Sequence, residues 1–383
     1  MFDVDLKGMR ELFGGTDARR LAAEPVANVF DEYRGYDDSQ DRPTRCDVTI
    51  DPVPNSKSAT FRVADDGGGF RNPDDIWTFF GSTGKRSCAT VSGRFNSGDK
   101  QLLAVARSAT VRSNDVTVAF ADGQRSVTRH RTDKVEGVVI EAVMPWTREE
   151  IRETVDHLRM VSPPEGLTYT VNGEEVQPAK SRLSVTVKLP TVLLAGELLK
   201  RTVRRTVVTV SESDEPMLYE LGIPVCSLSD VGFPVSLDVG QKVPVPLSRD
   251  MVDTPYLYRL IGTVLEQAGL DGVSLLSEEQ QGAGFVKDAM EWVREPEAIK
   301  QVVADIYGDN VYRQSSDSVA NAQAAASGAT IIPGRTFTAD TRRRLDSSGA
   351  MQTTSRVFPG AAESAVGMDG DDGEKCKRCG RPF

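Results

Sequence analysis

The chain has 383 residues, of which 39% are hydrophobic and 27% charged, and a formal net charge of -10, the balance of an ordinary globular protein of two or three domains. A diffusely acidic surface argues against sequence-blind nucleic-acid binding by the whole molecule, and the local cluster Lys200, Arg201, Arg204 and Arg205 reads as a solvated face. No run approaches the ~20 apolar residues of a spanning helix, the start MFDVDLKGMRELF lacks a signal-peptide pattern, and the scattered Cys46, Cys88 and Cys226 fit a reducing compartment, by default the cytoplasm.

Residues 5–34 read as mostly helical with a break at Gly14-Gly15. Strand-like runs follow at 46–52 and 59–64, the second ending in Asp65-Asp66-Gly67-Gly68-Gly69-Phe70. A short helix is expected at 73–80, and 81–98 is rich in Gly, Ser and Thr, as a functional lid would be. Strands near 108–113, 116–121, 125–131 and 137–143, a helix at 147–160 and a strand at 167–171 complete an α+β layer over 1–180, with helices on one face of a largely antiparallel sheet. A second, smaller α+β domain is expected over 181–275, with a helix near 191–201 between strands at 183–188 and 205–211 and another helix at 255–268. Ser277 and Gln280 form a capping-box pattern for a helical extension over 276–312. The run SVANAQAAASGAT then suggests a disordered tail over 313–383, ending in Cys376-x-x-Cys379.

Three elements carry chemistry. In the helix at 21–33, Glu24, Asn28 and Asp31 fall within about 60° of one another at helical spacing, opposite Val26, Val29, Phe30 and Tyr33. This is also the pattern of any surface helix. Asp65 ends a strand where its carboxylate can accept a hydrogen bond from an exocyclic amine, and Gly67 and Gly69 let a flat ring approach the backbone. The third element is Gly93-Arg94-Phe95-Asn96-Ser97-Gly98-Asp99-Lys100, a glycine loop opening a helix, which presents N–H groups to an anion, with Lys100 adding positive charge.

Taken together these resemble the GHKL ATPases: gyrase, the ninety-kilodalton heat-shock chaperones, the sensor kinases and MutL. Glu24, Asn28 and Asp31 match the family's first motif, Asp65, Gly67 and Gly69 its Asp-x-Gly-x-Gly, and Gly93, Phe95 and Gly98 its lid segment, in the family's order. Phe80-Gly81-Ser82-Thr83-Gly84-Lys85-Arg86 and Gly98-Asp99-Lys100 are similar to the pattern of MORC and phage rIIA-like proteins. The resemblance covers 1–180 clearly and 181–275 loosely. It implies a Bergerat-type ATP-binding sandwich followed by a transducer-like domain, an ATPase using Mg2+, and dimerisation on ATP binding, in a host cytoplasm if the chain is phage-encoded. It also implies roles: Glu24 as general base, Asn28 as Mg2+ ligand, Asp65 reading the adenine amine, Gly67 and Gly69 admitting the ring, Asp31, Phe70 and Lys85 completing the nucleotide site, and residues 93–100 wrapping the phosphates. Gly240-Gln241-Lys242 is similar to the loop that carries a basic residue toward the terminal phosphate, with Arg249 as the rival.

There are two departures. Pro25 follows Glu24, so the helix is expected to kink or restart there, and Val138 stands after Gly137 where the family often has threonine, which removes a hydroxyl expected near the base. Cys376 and Cys379 are half of a tetrahedral zinc site, to be completed from elsewhere or left metal-free. A P-loop is excluded because Lys85 is followed by Arg86 and position 79 is Phe, and His130 and His157 do not precede the domain as in a sensor kinase. Two classes remain: an ATP-driven conformational machine, or a non-hydrolysing nucleotide-binding interaction module, possibly peripheral to a membrane. The client of either is not legible, and DNA contact has no support in the sequence.

Overall fold

The structure, a computed structural model, describes residues 6–35, 41–79, 81, 84–93, 98–195, 198–245 and 252–360. It divides into two compact units, Met1–Leu228 with Val235–Asp253, and Ser229–Pro234 with Thr254–Phe383.

The first unit opens with α1 (Leu6–Phe13) and α2 (Ala18–Arg34). The Asp17 carboxylate accepts from the Arg19 N–H at the start of α2, and Gly35, at φ 68°, ends it in the left-handed conformation that glycine adopts without strain. Pro25 neither restarts nor ends α2, which runs unbroken through it. The missing N–H leaves the Leu21 carbonyl without its intrahelical donor. Burial of Leu21, Ala22, Val26, Val29 and Phe30 against the sheet offsets that loss.

Eight strands form the main sheet: β1 (Arg45–Pro52), β2 (Ala59–Asp65), β3 (Ser108–Asn114), β4 (Val116–Ala121), β5 (Gln124–Arg129), β6 (Val135–Met144), β7 (Thr168–Val171) and β8 (Glu174–Glu175). Their order is β5-β4-β3-β6-β2-β1-β7-β8, antiparallel except for the β1–β7 pair. The alternation in Ala59–Asp65 buries Ala59, Phe61 and Val63 under α2, α3 (Gly98–Val105) and α4 (Arg148–Arg159). The expected α+β layer is therefore present. The helix expected at 73–80 is a single 3-10 turn, Pro73–Ile76.

The second sheet, in order β12-β11-β13-β10-β9, belongs to the same unit. It contains β9 (Ser181–Ala195), β10 (Leu198–Ser211), β11 (Met217–Glu220), β12 (Ile223–Ser227) and β13 (Ser236–Val239). The helix expected near 191–201 is absent. The β-branched residues Thr191, Val192, Thr202, Val203, Thr206 and Val207 sit in one continuous antiparallel ladder from Leu198↔Ala195 to Val210↔Leu183. Pairing overrides the leucines' preference for helix.

The other unit is helical. α5 (Thr254–Leu270) packs against α6 (Phe285–Ala289) and α7 (Pro296–Tyr307), so the expected boundary at 275 falls inside this unit. Gly262 permits the close crossing, since a Cβ there would lie 2.2 Å from the Ala289 carbonyl oxygen. The capping box forms, with the Ser277 N–H donating to Gln280 Oε1 at 2.8 Å, but it heads a 3-10 turn, and Pro296 opens a separate helix. Disorder from 313 is not met over 313–360. β14 (Val311–Arg313) pairs in parallel with β15 (Thr330–Ile332) around α8 (Ser318–Ala326), and α9 (Ala339–Ser348) and α10 (Thr354–Val357) follow. The alanines that dilute hydrophobicity there are the strongest helix formers, and Asp317 caps their helix. Cys376 and Cys379 lie outside the described residues, among which no cluster of His, Cys, Asp or Glu is placed to hold a metal and no helix is long and apolar enough to cross a membrane.

Candidate functional site

The polar face of α2 is turned toward the glycine-rich segments rather than toward open solvent. Glu24, at one end, meets the first residue of α3: a Cβ on Gly98 would lie 1.9 Å from Glu24 Oε2, so the Glu24 carboxylate would have to swing aside for any larger residue there. The carboxylate thus stands beside a helix N-terminus, whose partial positive charge favours anions. One turn along, Asn28 Oδ1 accepts from Lys85 Nζ at 3.3 Å.

Asp31 is fully buried, and its carboxylate accepts from the Ser92 N–H at 2.6 Å, the Ser92 hydroxyl at 3.1 Å and the Gly93 N–H at 3.0 Å. It therefore ties the segment ending at Gly93 to α2. Lys85 Nζ also lies 3.6 Å from Asp31 Oδ2 and 3.4 Å from Glu32 Oε1. Sequence reasoning missed Glu32, although it follows Asp31 on the same turn.

Asp65 sits at the far end of this row, closing β2. Its carboxylate Oδ1 accepts from the Gly67 N–H at 2.9 Å. Burial pushes its pKa up to about 6, against lowering by the Gly67 and Val138 N–H groups, and the Glu32 and Asp66 charges raise it further. The next residue, Asp66, accepts from the Thr44 and Arg45 N–H groups at 2.7 and 2.9 Å, which fixes the turn. The glycine run then docks on a bulge of β3, where the Phe70 N–H donates to Ser113 Oγ at 2.8 Å and Asn114 Nδ2 to the Gly68 carbonyl at 3.3 Å.

Gly69, at φ 73°, and Gly137, at φ 66°, both need glycine. A Cβ on Gly137 would lie 2.1 Å from the Asp65 carbonyl oxygen. Gly137 was not among the predicted site residues, though a glycine inside a strand pattern signals such a close approach. The Val138 N–H reaches Asp65, so the departure from threonine falls at the Asp65 end of the site and not beside Glu24.

Asp99 and Lys100 open α3 as a buried pair, with Nζ 2.9 Å from Asp99 Oδ2. Arg94, Phe95, Asn96, Ser97 and the rival Arg249 lie outside the described residues. Lys242 is 1% exposed, and its ammonium donates to the Lys85 carbonyl at 2.5 Å and the Cys88 carbonyl at 2.8 Å, while its own N–H reaches the Ala89 carbonyl at 2.9 Å. It clamps the lid base to the second sheet, instead of pointing an open charge at Glu24. A cavity of about 290 Å³ lined by Arg10, Leu103, Arg107 and Phe120 lies apart from these residues, and Arg10 there already donates to the Ala104 and Ala106 carbonyls.

Whether the site suits a divalent ion can be judged from Lys85. Its ammonium is a stand-in cation among an amide oxygen and two carboxylates, the hard oxygen donors that Mg2+ takes. Few protein ligands are needed, because Mg2+ is held largely by phosphates and water. The donor set fits.

No family model matches the chain, and no curated protein matches it. Among solved structures, the ATPase region of Saccharomyces cerevisiae topoisomerase II bound to ICRF-187 (dexrazoxane) aligns at TM-score 0.34 and 11% identity, over 54% of this chain and 62% of that one. A second structure of the same region aligns at TM-score 0.33 and 10% identity over the same shares. The chain therefore spans less than two thirds of the length of these neighbours.

Proposed function

We propose that the chain is an ATP-binding protein of the GHKL type that hydrolyses ATP with Mg2+ and changes shape as its lid closes. The observation that carries this reading is the row along α2: Glu24 against the start of α3, Asn28 and Asp31 at the lid base, and Asp65 beyond Glu32. From Glu24 to Glu32 the helix advances about 12 Å, the scale of a nucleotide laid lengthwise.

In this reading the Asp65 carboxylate accepts a hydrogen bond from the adenine amine, and the Gly67–Gly69 backbone lies against the ring. The N–H groups at the start of α3 hold phosphate oxygens. Lys85 leaves its acidic pocket to pair with phosphate, and Asn28, with Asp31 and Glu32 beside it, is then open to the metal. When bound, Mg2+ neutralises charge on the phosphates. Glu24 orients a water and takes its proton. Lys242 releases the Lys85 and Cys88 carbonyls as the lid moves and turns toward the terminal phosphate, and two chains closing face to face fit that movement. The engagement of Lys242 with those carbonyls favours a second reading, in which nucleotide is bound without turnover and only sets the shape of the lid.

Isothermal titration of ATP into the wild type and Asp65→Asn tests binding. A drop of at least about tenfold is expected for one hydrogen bond to a charged group, and unchanged affinity overturns the assignment. Phosphate release by the wild type then decides between the two readings.

A further inference from the structure

The β9–β10 hairpin carries a concentration of positive charge in a chain that is acidic as a whole. Lys188, Lys200, Arg201, Arg204 and Arg205 have no ion-pair partner among the described residues, whereas Arg182 at the base of the hairpin pairs with Glu212 at 3.2 Å. Between Ser181 and Ser211 the sequence contains one carboxylate, Glu197, outside the described residues. Lys188 and Arg205 stand directly opposite one another in the ladder. Like charges in that relation destabilise a sheet, so folding alone does not account for them.

The cations alternate with exposed aliphatic side chains. Successive residues of a strand face opposite sides, so Leu199, Arg201, Val203, Arg205 and Val207 share one face of β10. On it Leu199, Val203 and Val207 are 41%, 52% and 49% exposed. Leu194, Val192, Pro190 and Lys188 lie opposite on β9 and extend the same surface. On the other face Leu189, Thr191, Leu193, Thr206 and Val208 are buried, while Leu198, Lys200 and Arg204 toward the turn are exposed, so the cations that flank the aliphatic stripe are Lys188, Arg201 and Arg205. Nor does the edge of β9 invite an added strand: Pro190 lies in its middle, and the Leu189 and Pro190 carbonyls accept from Gln241 Nε2 at 3.2 and 3.4 Å. A partner therefore lies across the face, not along the edge.

We propose that this face rests on an anionic lipid surface, with the aliphatic side chains entering the boundary between headgroups and acyl chains and the arginines and lysine pairing with lipid phosphates. A nucleic-acid duplex would use the cations but leave the Leu199–Val203–Val207 stripe in water. An anionic bilayer takes both at once, because apolar insertion and charge attraction add. The arrangement is independent of the nucleotide site.

The test is co-sedimentation of the full chain with vesicles of phosphatidylcholine alone and of phosphatidylcholine mixed with phosphatidylglycerol. The wild type is expected to bind the mixed vesicles and not the neutral ones. Arg201→Glu with Arg205→Glu should reduce that binding by at least about tenfold, and Leu199→Ser with Val203→Ser should reduce the part that survives high salt. ATP affinity and thermal melting of the same samples report folding, and they keep a failure here distinct from a failure at Asp65. Absence of binding to the anionic vesicles overturns the proposal, as does binding that either folded variant leaves unchanged. Tighter binding to a DNA duplex or to polyglutamate, insensitive to Leu199→Ser, assigns the face to a soluble polyanion and likewise overturns it.

Discussion

The two ends of the α2 row are built differently. At Asp65 the backbone is locked by the Gly67 and Val138 N–H groups, by Asp66 gripping Thr44 and Arg45, and by glycines pressed against neighbouring main chain. Around Asn28 and Lys85 the contacts are side-chain ion pairs and lysine–carbonyl bonds, which separate without breaking a strand. In the proposed reading, recognition is thus preorganised, while the phosphate end has to be assembled. The difference teaches that substitutions at the first end act on stability and binding together, and those at the second act on lid closure and turnover.

Gly137→Ala should break the rigid end most severely. Its φ of 66° and the 2.1 Å approach to the Asp65 carbonyl leave no room for a methyl group. Unfolding by urea should show a loss of roughly 3 kcal/mol or more, and ATP binding should vanish with it. A stability change below about 1 kcal/mol would show that this end is adaptable.

Asp65 provides a second lever. Its carboxyl binds a proton more readily in the folded chain, with a pKa of about 6, than in the unfolded chain, near 3.8. The folded state therefore holds more protons between these values, and stability of the empty protein falls as pH rises from about 4 to about 6, by roughly 2–3 kcal/mol in total from this group. ATP affinity runs the other way: it needs the carboxylate and should weaken as pH drops through about 6. Asp65→Asn should flatten both profiles. Thermal melts and titrations across that range check the opposite signs.

The movable end should respond less in stability and more in function. Lys85→Met removes the stand-in cation, and ATP affinity should fall about three- to tenfold with little change in melting temperature. Lys242→Met removes two bonds to the lid base. Hydrogen exchange at Cys88 and Ala89 should quicken, with ATP affinity held within about twofold. An equal loss of stability in Gly137→Ala and Lys242→Met would erase the distinction between the two ends.

Much of this was legible in the sequence because it is local. The strand ending at Asp65, the glycines after it and the spacing of Glu24, Asn28 and Asp31 each report a conformation that needs those residue types. What was not legible depends on partners distant in sequence. Nothing in Pro25 reveals that α2 is held together by the sheet beneath it. Leu193, Leu194, Leu198 and Leu199 suggest helix until the ladder of β9 and β10 is seen. Lys242 was singled out, but its place on the Lys85 and Cys88 carbonyls spans more than 150 positions. The alanines of α8 suggest disorder by their low hydrophobicity, whereas Ala320 and Ala324 are buried.

In the proposed reading, binding at Asp65, on β2, and chemistry at Glu24, on α2, are separable. The most direct measurement is ATP affinity and single-turnover phosphate release for Glu24→Gln beside Asp65→Asn. The account predicts that Glu24→Gln binds ATP within about twofold of wild type and releases phosphate at least about a hundredfold more slowly, whereas Asp65→Asn loses binding. Phosphate release by Glu24→Gln at the wild-type rate would contradict it.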